Sequence, residues 1–143
     1  MTTEQNKAIV RRFYTAFDAN DQAALNEVLS PDLVAYTHGL PGPRGREEML
    51  QGINFWHATF SDVQSEILEQ IAEGDKVATT LTFRSTHSRG DFQGLAPTGK
   101  QIEEQSITIE RIKDGKIVWR RVSSDWLSVM RQLGLIPPPQ PAG

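Results

Sequence analysis

The sequence predicts an α+β domain: a cone-shaped, barrel-like fold in which a curved antiparallel sheet wraps around N-terminal helices and encloses one pocket. Three observations lead there. Apolar residues recur at a spacing near four up to Phe60 and at a spacing of two beyond it. The sequence Asp114-Gly115 separates two alternating segments, as a tight hairpin turn does. The 143 residues show neither an internal repeat nor a linker, so one domain over residues 1–136 is expected, followed by a proline-rich tail over 137–143. Helices first and a run of strands afterwards is the α+β order, with helices on one face of the sheet.

The first helix follows from Ile9, Phe13 and Phe17, with Val10 and Tyr14 beside them, and Thr2 with Gln5 forms the pattern of a capping box at its start. Asn20 or Asp21 caps a second, short helix carrying Ala24, Leu25, Val28 and Leu29, which Pro31 stops. Leu33 to Thr37 reads as a short strand, and the Gly/Pro-rich stretch from His38 to Gly45 as a loop. A third helix presents Met49, Ile53, Trp56 and Phe60 on one stripe. Val63, Ser65, Ile67 and Ile71 then alternate with polar residues up to a turn at Gly74-Asp75, and Val77, Thr79, Leu81 and Phe83 lead towards His87 on the same face. A strand from about Lys100 to Ile112 places Gln105, Ile107 and Ile109 on one face, taken as the inner one. After the Asp114-Gly115 turn, Lys116 to Ser123 forms the last strand, and a closing helix bears Trp126, Val129, Met130 and Leu133, ended by Gly134.

Composition narrows the function classes. A formal net charge of −3 and a pI near 5.6 provide no basic field for a phosphate backbone, so nucleic acid is not an expected partner. The absence of cysteine excludes disulfides, thiolate nucleophiles and thiolate metal sites. His38, His57 and His87 are too scattered for metal-ligand spacing, and no metal is expected. No signal-peptide pattern and no apolar run of spanning length appear, so no membrane partner is expected and a cytoplasmic location is the default. The triplet Arg89-Gly90-Asp91 is too short to carry an adhesion function in such a chain.

The segment Thr86-His-Ser-Arg-Gly-Asp-Phe-Gln-Gly-Leu-Ala-Pro-Thr-Gly-Lys100 resembles the strand–loop–strand signature of the SnoaL-like polyketide cyclases. Arg111-Ile-Lys-Asp-Gly-Lys-Ile-Val118, then Asp125, then Met130-Arg-Gln-Leu-Gly134 resemble the same family, and the strand ending in Tyr36-Thr-His38 fits it too. The resemblance implies the cone fold of the wider nuclear-transport-factor-2-like superfamily and a homodimer packed through the outer face of the sheet. It also implies ring closure by intramolecular aldol condensation of a hydrophobic carbonyl compound, with no metal or organic cofactor. An aspartate at the start of the last helix acts as acid and base in such cyclases, and Asp125 matches it. Two positions depart from the pattern: Arg121 stands where an aromatic residue is usual, and Trp119 where an acidic one is common.

Each candidate has a structural role to set beside the chemical one. Asp125 opens the last helix, where it either caps the N-terminus or, desolvated among aromatic residues, exchanges protons. His87 shares the face of Leu81 and Phe83 and is either a buried, backbone-satisfied histidine or a catalytic partner that holds a carbonyl oxygen. His38, Tyr36 and Gln105 are candidate hydrogen-bonding residues for a substrate. Arg121 borders the site, and Trp56, Phe83 and Trp126 supply an apolar wall for a flat substrate, or simply core. Two other readings share the fold: a non-catalytic small-molecule-binding module, and an epoxide hydrolase like limonene-epoxide hydrolase. The second needs an arginine between two aspartates, and the strand that should supply part of that triad reads Leu81-Thr-Phe83 here.

Overall fold

The computed structural model describes residues 1–37 and 39–140. Helix α1 (Thr3–Ala19) begins with the expected capping box: Thr2 Oγ1 accepts from the Gln5 N–H at 3.1 Å, and Gln5 Oε1 accepts from the Thr2 N–H at 2.8 Å. Asp21 caps α2 (Gln22–Val28). Strand β1 (Leu29–Tyr36) starts four residues before the expected Leu33 and contains Pro31. Proline is tolerated there because β1 is an edge strand, where a missing N–H breaks no ladder. Helix α3 (Arg46–Thr59) precedes the long hairpin of β2 (Phe60–Glu73) and β3 (Lys76–His87), then β4 (Gln101–Lys113), β5 (Lys116–Ser124) and α4 (Trp126–Gln132).

One curved, open sheet has the order β1-β5-β4-β3-β2. The pairs from β2 to β5 are antiparallel, but β1 lies parallel to β5, so the sheet is mixed rather than wholly antiparallel. Connectivity permits this parallel pairing, since β1 and β5 are far apart in sequence and no hairpin joins them. The inner face packs on α1, α2 and α3 through Val10, Phe13, Leu25, Leu29, Ile53 and Ile117. A second apolar cluster, of Phe60, Phe92, Ile102, Val129 and Leu133, closes the far end beneath α4. Between the two clusters the interior stays open.

Candidate functional site: a two-ended cavity

A cavity of about 470 Å³ occupies that gap, within the range of small-molecule sites. Its mouth lies among the loop carrying Gly39 and Leu40, the exposed Phe55 of α3, and Gln93 of the β3–β4 loop. Phe17, Trp56, Phe83, Phe92 and Trp126 give its wall flat aromatic surfaces. Trp56 stacks on Phe60 with centroids 4.1 Å apart and planes at 8°, and Trp126 and Phe92 meet edge to face at 5.8 Å. Trp56, Phe83 and Trp126 all line this cavity.

The polar floor comes from β4, in the opposite parity to the one expected. Ile102, Glu104, Ser106, Thr108, Glu110 and Ile112 are buried on the inner face, while Gln105, Ile107 and Ile109 point outwards. Ile107 is 54% exposed and Ile109 40%. Gln105 accepts from the Thr82 hydroxyl at 3.1 Å and is not part of the cavity wall. Isoleucines at both ends of the even-numbered series, Ile102 and Ile112, were the signal for the true register. The reading from Ile107 and Ile109 instead followed the rule that apolar residues face inwards.

Strand β5 shows a related shift. Its pairing with β4 slips by one residue near Ile112, so Arg120 and Val122 reach the cavity while Arg121 turns outwards. The Arg121 guanidinium lies 4.6 Å above the Tyr36 ring and 5.7 Å from Trp119. Arg121 and Tyr36 therefore form an outer stack, not a pocket wall. Asp125 is exposed too, and its Oδ1 accepts from the Ser128 N–H at 3.1 Å, capping α4. It does not line the cavity. His87 is fully buried, with Nε2 2.7 Å from the Gly90 carbonyl oxygen and Nδ1 3.3 Å from Thr98 Oγ1. It organises the β3–β4 loop from behind the wall rather than from within the cavity. His38 lies outside the described residues.

The inner face of β4 holds two carboxylates in different company, of which Glu104 lines the cavity and Glu110 does not. At one end Arg120 Nε donates to Glu110 Oε2 at 2.9 Å, and Arg120 Nη2 donates to the Tyr14 phenol at 3.0 Å. Tyr14 donates to Thr108 at 3.1 Å, and Thr108 donates to Glu110 Oε1 at 3.0 Å, which closes a ring of four hydrogen bonds. Each donor in that ring has an acceptor, as a buried network requires. Burial pushes the Tyr14 phenol up to about 12, against the pull of Arg120. Burial also raises the Glu110 carboxyl, with Arg120 and Thr108 opposing it.

At the other end Glu104 is only 6% exposed and lines the cavity beside Phe83, its cross-strand partner. Ser106 Oγ lies 3.4 Å from Glu104 Oε1, and the Ser124 hydroxyl bonds to the same carboxylate. No cation answers its charge in these contacts. Desolvation accordingly raises its pKa above the ordinary glutamate value; the serine hydroxyls oppose this and the nearby Asp125 charge adds to it. The cavity therefore offers a desolvated carboxyl at one end, a fixed guanidinium at the other, and flat apolar walls between. Sequence reasoning missed Glu104, Ser106, Thr108, Glu110, Arg120 and Tyr14 as a set.

Comparison with known proteins agrees with this architecture. The family model of SnoaL-like polyketide cyclases matches residues 8–133. Aklanonic acid methyl ester cyclase DauD of Streptomyces sp. (strain C5) is 32% identical over 143 residues, covering 94% of this chain and 84% of that protein. Aklanonic acid methyl ester cyclase DnrD of Streptomyces peucetius is 30% identical, covering 94% of each. The crystal structure of wild-type IdmH from Streptomyces antibioticus superposes with a TM-score of 0.83 at 34% identity, over 91% of this chain and 99% of that one. With the family model spanning nearly the whole fold, helices and sheet alike, the chain belongs to the SnoaL-like polyketide cyclase family.

Proposed function

We propose that this protein closes a ring in a hydrophobic polyketide by acid/base catalysis, with Glu104 as the proton-exchanging group. The observation that carries the reading is Glu104 itself: a cavity-lining carboxyl, desolvated, held by serine hydroxyls and, among the described residues, by no cation. In an intramolecular aldol closure the Glu104 carboxylate takes a proton from the carbon next to a carbonyl. The resulting enolate carbon forms the new C–C bond to a second carbonyl of the same molecule, whose oxygen gains the electron pair. The protonated Glu104 then returns its proton to that oxygen, so no net proton is consumed. A pKa raised towards neutrality suits both halves of this exchange. Arg120, fixed by Glu110 and Tyr14, is the donor placed to stabilise negative charge on a substrate oxygen at the far end. The aromatic walls hold the two reacting ends of one molecule together, which removes much of the entropic barrier. Asp125 serves this scheme as the cap of α4, not as the acid/base.

The relatives named as aklanonic acid methyl ester cyclases make that ester the first substrate to assay. Glu104→Gln keeps the shape and the hydrogen-bond acceptor but cannot exchange a proton. Turnover is expected to fall by roughly 10²- to 10⁴-fold, with the fold retained by circular dichroism. Full turnover in this variant, while the wild type cyclises the ester, would remove Glu104 from the mechanism. A wild type that binds such compounds and leaves them unchanged would point to a binding module instead.

A further inference from the structure

The indole nitrogen of Trp56 is buried and has no hydrogen-bond partner among the described residues, although its ring lines the cavity. Buried donors almost always find an acceptor. The rings packed against this indole are aromatic: Phe60 stacked at 4.1 Å, Phe83 at 5.7 Å, Phe92 at 6.0 Å and the Trp126 ring at 6.3 Å between centroids. Aromatic faces are only weak acceptors, so the partner must enter through the cavity. Phe83, which touches Trp56, is also the cross-strand partner of Glu104. The open N–H and the proton-exchanging carboxyl thus flank one phenyl ring.

We propose that Trp56 is a specificity-determining residue that selects flat ligands bearing a ring carbonyl or phenolic oxygen, donating its indole N–H to that oxygen. The inference rests on reading the cavity as a polyketide site and adds the chemical group that the site recognises. A site built to hydrogen-bond an oxygen rejects the analogue that lacks it, because the buried donor stays unpaired in that complex. An apolar wall alone would not discriminate between the two. Such an anchor fixes which end of a polycyclic ligand lies beside Glu104, and hence which carbon is deprotonated.

The test compares anthraquinone-2-sulfonate, which carries ring oxygens, with anthracene-2-sulfonate, which has the same tail and none. Calorimetric titration of the wild type is expected to favour the quinone. Trp56→Phe retains a ring to stack on Phe60 and removes the N–H. It is expected to weaken quinone binding roughly 5- to 100-fold and leave anthracene-2-sulfonate within about twofold. The wild-type protein gives an independent reading that needs no variant fold beyond assignment. Of three tryptophan indole signals, the one absent from Trp56→Phe should move downfield on adding the quinone and stay put with the hydrocarbon. Equal losses for both probes, an unmoved indole signal, or a wild type that binds neither or does not discriminate would each overturn the proposal. Quinone preference without turnover of any ester would remove the cyclase reading and leave this one standing; Glu104-dependent turnover without quinone preference would do the reverse.

Discussion

Glu104 and Glu110 lie on the same face of β4, yet their neighbours assign them different chemistry. Glu110 is locked to Arg120 and Thr108 inside a closed ring, so its charge is compensated and its geometry fixed. Removing one member leaves the other as a buried, uncompensated group. Glu110→Gln and Arg120→Met are each expected to lower unfolding free energy by about 3–5 kcal/mol. The double variant should lose clearly less than the sum, as a double-mutant cycle by urea unfolding would show. Additive losses would mean that the pair is not coupled. Glu104 behaves oppositely. Its carboxyl is raised by desolvation in the folded state, so the folded protein holds a proton that the unfolded chain has already released. The sign follows: stability from this group is present below the unfolded value and falls as pH rises from about 4.5 through the folded value. Glu104→Gln should therefore gain on the wild type as pH increases from 4.5 to 7.5, measured as the difference in urea midpoints at each pH. A constant difference across that range would show that Glu104 is not shifted.

Two elements owe their shape to residues that sequence reasoning had offered to catalysis. Asp125 accepts from the Ser128 N–H at the start of α4. Asp125→Ala should cost about 1 kcal/mol of stability, whereas Asp125→Asn, itself a good cap, should change neither stability nor turnover of the ester. Loss of turnover in the asparagine variant with stability unchanged would return the acid/base role to Asp125. His87 ties the β3–β4 loop to the sheet, with backbone bonds to Lys100 and Gly99 added to its ring contacts with Gly90 and Thr98. That loop carries Phe92 and Gln93 to the cavity. His87→Ala leaves the Gly90 carbonyl unanswered at a cost of about 1–3 kcal/mol. In turnover assays it should raise KM more than it lowers kcat, since it loosens the wall and touches no reacting atom; a fall in kcat alone would contradict this. The period change at Phe60, the capping box at Thr2 and the Asp114-Gly115 turn were legible because each is a local signal. The cavity floor was not, because it depends on strand parity, and here parity runs against hydropathy. Glu104, Ser106, Thr108 and Glu110 face inwards since a cavity and a closed hydrogen-bond ring satisfy them, and Ile107 and Ile109 are left on the convex face. The one-residue slip between β4 and β5 then moved Arg120 in and Arg121 out, and no spacing rule announces such a slip.

At the scale of the whole molecule, the cavity divides the interior into one cluster under α1, α2 and α3 and another under α4. Tyr14 and Phe17 of α1 border it on one side, and Trp126 of α4 on the other. Without a ligand these walls lack dispersion contacts across the gap, so the two clusters support each other through the sheet and through Trp56 of α3, which packs on the second cluster and meets Phe83 of the first. A ligand that fills the cavity touches both at once and should couple them. Anthraquinone-2-sulfonate at 100 times its Kd adds about 2.7 kcal/mol by mass action, which in a domain of this size raises Tm by roughly 5–10 °C. The distinguishing measurement is native-state hydrogen exchange. Amides of α1 and of α4 should slow together on ligand addition, although among the described residues no wall residue of one helix belongs to the other's cluster, whereas the hairpin turns at Gly74 and Gly115, outside the cavity lining, should keep their rates. Protection confined to one helix would mean that the ligand occupies a single wall, and a rise in Tm with neither helix slowed would place it outside the cavity altogether.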